Sequence, residues 1–445
     1  MRKVLLFSLL LLGGLVLSQV LPPLLGEALA EPVALAVRLL TMVGLSFIMI
    51  HVGHEFDLDR GRLRSYGWDY VVAATAAAFP WVFVTLYFVF VLAPPELWGH
   101  GWQWKEALLQ GRFAAPTSAG VLFSMLAAAG LGATWVFKKA RVLAIFDDLD
   151  TILLMVPLKV LMVGFRPQLL AVVVIIGVLL WAAWRWLHAL RLPYAWPWVM
   201  AYAVVVTGLC EAFYLGTGWL DPDAPVHLEV LLPAFVLGCI MRKPEHGLDE
   251  HDADVGAQPG PDALREQRVA TWVSGAFMVL VGLSMPLLIG DAAGAVNAQT
   301  RERFADVPAA VMEARNAFPG WGMIAVHVVA VTLLSNLGKM FPLLCYRREA
   351  TWRERLALCL GMFPRGEVGA GVLVVSLGYG IGGPATTVAL LSLALNLLLT
   401  GLFIIGVRRL LVERRSTRRR PWTREHVSPG LHTHTKELRE AEGGM

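Results

Sequence analysis

Apolar runs of about 20 residues recur along the chain, separated by short stretches of polar residues, Pro and Gly. Each run is long enough to cross a bilayer as a helix. The pattern predicts twelve spans, at 4–22, 33–54, 68–93, 107–129, 137–163, 168–187, 196–216, 228–241, 268–290, 321–345, 356–378 and 384–410. The eighth is short and is bounded by GWLDPDAP and MRKPEHGLDEHDADVGAQPGPD. The first run has a basic start (Arg2, Lys3) and ALA at 28–30, an arrangement also found in signal peptides. The distance from its apolar core to ALA is long, so a retained helix is expected.

Composition agrees with the periodicity. The 445 residues are 57% hydrophobic and 16% charged, with a mean hydropathy of +0.61. Soluble domains carry about 25% charged residues, so this chain is not a water-soluble globule. The fold class is an all-α polytopic membrane protein with about 12 transmembrane helices, its partner the lipid bilayer. A membrane domain is expected over 1–412 and a basic, disordered tail over 413–445, resting on anionic lipid. The tail has no Rossmann-like glycine pattern, so no nucleotide-sensing domain is expected there, and no nucleic-acid partner. Four cysteines (Cys210, Cys239, Cys345, Cys359) form no CxxC pair and no metal spacing, and are read as structural.

Lysine and arginine set the direction. With the N-terminus inside, the segments on that side hold eighteen basic residues, leaving out the tail, and the opposite side holds five (Lys105, Arg166, Arg301, Arg303, Arg315). Both termini and the loop 242–266 are therefore expected in the cytoplasm, and the loop 291–320 outside.

A few charges fall inside the spans. The basic ones are Arg38, Arg112, Lys159, Lys339 and Arg365. The acids are Asp147, Asp148, Asp150, Glu211 and Glu367, with Glu55 and Glu229 near span ends. An ionised group at a helix centre costs about 2.5–3.5 kcal/mol even on the gentler insertion scale. Such groups persist where they pair, face a cavity or carry ions and protons. For Arg38 and Lys159 a structural role is expected, because long basic side chains snorkel from span ends. Asp147 and Asp148 differ, since neighbours on a helix point about 100° apart and one base cannot serve both. Crowded carboxylates favour retention of a proton, and a site that exchanges a proton for a cation is a transport site. Asp150 either shares that cavity or plays a structural part. Lys339 needs a carboxylate at depth, and Asp147 and Asp148 are the obvious acids.

Two spans carry helix breakers at mid-depth. GRFAAPTSAGVLFSMLAAAGLG (111–132) contains Pro116 before Thr117 and Ser118, and GMFPRGEVGAGVLVVSLGYGIGG (361–383) contains Pro364 and several glycines. A break inside lipid survives only where it is buried in protein or lines a wet cavity, and half-helix ends there bind ions. GRFAAPTSAGVL and GMFPRGEVGAGVL are themselves alike. They lie seven spans apart, an odd number, so their helices run oppositely, as inverted repeats require.

These residues resemble the paired-aspartate branch of the monovalent cation:proton antiporters. The matching pieces, in order, are GHEF closing the second span, APTSAG on the fourth, FDDLD on the fifth, Lys339 on the tenth and FPRGEVGAGVL on the eleventh. The resemblance implies inverted repeats with two broken crossing helices (the fourth and eleventh spans), and a core domain moving against a dimerisation domain, hence a homodimer. It implies that Asp148 is the main cation and proton carrier, and that Asp147 pairs with Lys339 when proton-loaded. Thr117, Ser118 and freed carbonyls would add oxygen ligands, suited to a hard cation. Arg365 and Glu367 would support the crossing. The chain departs from the family at Asp150-Thr151 and in its long loop at 290–320.

The expected activity is exchange of a monovalent cation for protons by alternating access. Sodium is the first choice, then potassium or lithium, with no cofactor beyond the transported ions and no enzymatic activity. A bacterial inner membrane and a role in pH homeostasis are the expected setting. A cation-coupled symporter and a non-transporting sensor on the same fold are the alternatives. A membrane hydrolase built on HVGHE (51–55) is disfavoured, because the segment is not HExxH and sits at a span end.

Overall fold

The computed structural model describes all residues except 1, 26, 55, 57–62, 221–227, 243–260, 286–302 and 419–445. Among the described residues the chain is helical, with one isolated bridge, Leu190 to Met241, and no strand. The helices are α1 (Arg2–Leu25), α2 (Glu27–His54), α3 (Leu63–Tyr87), α4 (Gly101–Gly111), α5 (Ala119–Ala128), α6 (Trp135–Val163), α7 (Pro167–Arg185) and α8 (Trp196–Leu220). They continue with α9 (Leu231–Ile240), α10 (Pro261–Leu283), α11 (Ala309–Asn316), α12 (Trp321–Gly338), α13 (Pro342–Cys345), α14 (Trp352–Gly361), α15 (Glu367–Gly378) and α16 (Pro384–Arg418). Helices or helix pairs lie over the twelve apolar runs, the last residues of the ninth (286–290) falling outside the described ones. The fourth run is split into α4 and α5, and the eleventh into α14 and α15.

Two features differ from the sequence reading. The tenth run is not continuous: α12 stops at Gly338 and α13 begins at Pro342. A Cβ on Gly338 would lie 2.4 Å from the Pro80 nitrogen, so only glycine lets α12 approach α3 this closely. The last helix runs past the expected boundary at 412 to Arg418.

The radial distribution of polarity is that of a protein in lipid. Trp181, Leu209, Trp219, Val326 and Leu402 are exposed, while Asp147, Asp148, Lys339, Arg112 and Arg365 are buried. Lipid-facing apolar side chains need no cover, whereas charges must be enclosed by protein. α1 packs on α10 and α2 on α8 and α9, while α3 contacts α6 and α12, and α16 lies against α12 and α14. Helix α6 passes through this second group unbroken, although it contains Pro157. Its start is fixed by the Thr134 hydroxyl, which accepts the Phe137 N–H at 3.2 Å.

Candidate functional site

The two interrupted helices meet at their breaks. After α4 the chain makes one 3-10 turn (Arg112–Ala114), then is non-helical through Pro116, Thr117 and Ser118 until α5. After α14 it is extended from Phe363 to Gly366, where α15 begins. Proline removes a helical donor in each stretch and so releases backbone groups. Those groups bond across the crossing. The Ser118 N–H donates to the Pro364 carbonyl at 2.9 Å, and the Thr117 hydroxyl donates to the Met362 carbonyl at 3.1 Å. The contact is tight, since a Cβ on Gly366 would sit 3.0 Å from Ser118 Oγ and that side chain would have to give way.

Arg365 ties the crossing to α12. Its Nε donates to the Ala114 carbonyl at 2.8 Å, its Nη1 to Asn336 Oδ1 at 2.7 Å and the Phe363 carbonyl at 3.3 Å, and its Nη2 to the Ser335 carbonyl at 3.0 Å. The side chain is fully buried. A guanidinium suits this place because its donors fan out in a fixed plane and reach three segments at once. The Glu367 side chain lies outside the described residues.

Helix α6 carries the acids past the crossing. Asp147 Oδ2 accepts Lys339 Nζ at 2.7 Å and the Thr117 N–H at 2.8 Å, with Asp147 and Lys339 both fully buried. Lys339 reaches it because α12 ends one residue earlier. Asp147 Oδ1 has no hydrogen-bond partner among the described residues. Asp148 is 2% exposed and interacts electrostatically with Lys339. The helical turn between the two acids therefore assigns Lys339 chiefly to Asp147. Half-helix N-termini at Ser118 and Gly366 add positive dipole ends to the same region. Ser118 is engaged there, its Oγ accepting the Val121 N–H at 3.4 Å.

Asp150 faces a different partner. Its Oδ2 lies 3.5 Å from Arg112 Nη2, which also donates to Thr151 Oγ1 at 3.3 Å. Trp81 covers the guanidinium, with the ring centroid 4.9 Å from the Arg112 carbon. So the structure brings Asp147, Asp148, Lys339, Thr117, Ser118 and Arg365 together, and sets Asp150 to one side with Arg112.

Away from this site, Arg38 forms an ion pair with Glu211, and Lys159 interacts electrostatically with Glu229. Each base thus has an acid partner within the bundle. His54 stacks on Tyr194 at 3.8 Å and His51 bonds the Phe47 carbonyl, while Glu55 is outside the described residues. The sequence reading missed Glu106, which is buried between Arg303 and Arg315. It also missed Asn336 and Ser335, whose only signal is a polar pair inside the apolar tenth run.

Comparison with known proteins gives three findings. A family model described as "Sodium/hydrogen exchanger, transmembrane" matches residues 3–411. Among solved structures, the sodium proton antiporter MjNhaP1 from Methanocaldococcus jannaschii at pH 8 is similar at 14% identity and a TM-score of 0.49, covering 89% of this chain and 91% of that one. Comparison with curated proteins gave no match.

Proposed function

The chain belongs to the sodium/hydrogen exchanger family, and from that premise we propose that it exchanges a monovalent cation, sodium first, for protons at Asp147 and Asp148. The observation that carries this reading is the buried Lys339–Asp147 pair at the crossing of two unwound helices, with Asp148 buried beside it. Asp148 is the carrier for which cation and proton compete. Asp147 holds Lys339 in the proton-loaded state. On cation binding both carboxylates turn to the ion, with Thr117, Ser118 and freed carbonyls as neutral oxygen ligands. Such a set suits a hard cation.

Access switches only when the acid is neutralised by proton or by cation, because a bare carboxylate is too costly to carry through the barrier. Two carboxylates and a lysine release more than one proton per cation, which makes exchange sensitive to voltage. Arg365 and Glu367 hold the crossing in shape. The protein works as a homodimer in a bacterial inner membrane, with both termini in the cytoplasm, as the distribution of Lys and Arg supports.

The test is cation-driven proton movement in proteoliposomes, with sodium, potassium and lithium across pH, for wild type and Asp148→Asn. A wild-type response that the variant abolishes supports the reading and identifies the ion. Well-inserted wild-type protein that answers no cation overturns it, in favour of symport or sensing.

A further inference from the structure

Arg112 is fully buried at the break of the fourth span, yet its hydrogen bonding is poor. Of its nitrogens, Nη2 reaches Asp150 at 3.5 Å and Thr151 at 3.3 Å, while Nε and Nη1 meet no acceptor among the described residues. A buried arginine kept for architecture uses its donors, as unmet ones cost about 1–3 kcal/mol each. Arg112 is instead held largely by charge and by the Trp81 face.

The charges around it make sense of this. Asp150 stands on α6 one turn after Asp147. The groups that act on it electrostatically are Arg112 from the fourth span, Asp147 on its own helix and Lys339 from the tenth span, and its charge in turn reaches Tyr70 on α3. Arg112 in turn interacts with both Asp150 and Asp147. The Thr151 hydroxyl that Arg112 contacts donates to the Asp147 carbonyl at 2.8 Å, which links the arginine to the helix turn bearing the paired acids. Three buried aspartates therefore face three buried bases, Lys339, Arg365 and Arg112.

We infer that Arg112 is a built-in counter-cation for Asp150: it occupies the third aspartate, keeps it from taking cargo, and tunes the proton and cation affinity of the neighbouring Asp147–Asp148 pair. Arg112 is thus a positioning residue, and Asp150 acts through its charge rather than as a ligand. This rests on the proposed exchange at Asp147 and Asp148.

Charge cancellation has a signature that loss of shape lacks. Asp150→Asn leaves Arg112 uncompensated, which favours ionised carboxylates and opposes a cation. The pH of half-maximal exchange then falls and the cation KM rises. Arg112→Gln leaves Asp150 uncompensated, so the paired acids hold their protons to higher pH and the profile moves upward. Each shift is expected to be about one pH unit, the scale of one buried charge at an effective dielectric of about 20. The double variant Arg112→Gln/Asp150→Asn is expected to move back toward wild type, and Arg112→Lys to recover most of the displacement.

The experiment is pH-resolved exchange in proteoliposomes for wild type and these four variants, beside the pH dependence of thermal unfolding of the same proteins in detergent. Opposite displacements that cancel in the double variant support the inference. Displacements of the same sign, none at all, or a double variant worse than either single one overturn it. Asp150→Asn is nearly isosteric and carries the test even if Arg112→Gln does not assemble. A silent wild type fails the exchange reading, and the thermal measurement then still decides whether Arg112 and Asp150 cancel each other.

Discussion

Arg365 and Arg112 stand in matching places, each fully buried at the break of an interrupted span. Their surroundings are opposite. Arg365 donates four hydrogen bonds, three of them at 2.7–3.0 Å, to acceptors on the fourth-span break, on α12 and on its own strand of unwound chain. Arg112 makes two long contacts and leaves two nitrogens without acceptors among the described residues. A buried cation can thus serve as a many-pronged tie between segments or as a source of charge. The hydrogen-bond inventory tells them apart where burial does not. At the eleventh-span break the cation holds shape. At the fourth it balances an acid.

The largest effect is expected at the tie. Arg365→Ala removes all four bonds and leaves the Ala114 and Ser335 carbonyls buried, each at a cost of about 1–3 kcal/mol if unmet. Thermal unfolding in detergent should show the variant as the least stable of the buried-charge set. Arg365→Lys should recover little, since an ammonium lacks the planar fork that reaches three segments. A lysine variant as stable as wild type would contradict the tie.

Lys339→Gln comes next. It leaves Asp147 with the Thr117 N–H and no hydrogen-bonded cation, Arg112 and Arg365 acting on it by charge alone, and breaking a buried pair from one side costs about 3–5 kcal/mol. The sign with pH follows from the group left behind. Once Lys339 is gone, an ionised Asp147 is the burden, so the deficit relative to wild type should shrink as pH falls and Asp147 takes a proton. A deficit that grows toward acid pH would mean that Lys339 is held by something other than Asp147.

The comparison also shows what sequence can carry. The spans were legible because a run of about 20 apolar residues has no other use in a chain this poor in charge. The breaks at Pro116 and Pro364 were legible because proline coincided there with glycine and with Thr, Ser or Arg at mid-depth. Proline alone was not enough: Pro157 sits inside α6 and the helix runs through it, while in the tenth run α12 stops at Gly338, the residue that packs closest on Pro80. Both outcomes depend on neighbours far away in sequence. Lys339 announced its need for an acid, yet only the end of α12 and the turn of α6 decide that Asp147 receives it. Arg112 was visible as an out-of-place charge without an address. Its partner lies 38 residues on, and its unmet donors exist only in three dimensions. Glu106 fell just outside its predicted span, and its arginines arrive from α11 and the segment before it, about 200 residues later, so no local pattern pointed to it.

The smallest effect is expected at Trp81, and it sharpens the contrast most. The ring does two things: its face covers the Arg112 guanidinium at 4.9 Å, and its Nε1–H donates to the Leu108 carbonyl at 2.7 Å. Trp81→Phe keeps an aromatic face and loses the donor, a change of about 1 kcal/mol. Trp81→Leu loses both, and a desolvated cation–π contact adds about 1–2 kcal/mol. Thermal unfolding should therefore rank wild type above Phe and Phe above Leu. The pH profile of exchange should respond only to Leu, in the direction of Arg112→Gln and by less, because only Leu loosens the counter-cation. Among the described residues no ring contact is found at Arg365, so no aromatic substitution there should mimic its loss. If Phe and Leu behave alike, the ring face contributes nothing to Arg112. Its burial would then rest on Asp150, Asp147 and the Thr151 hydroxyl.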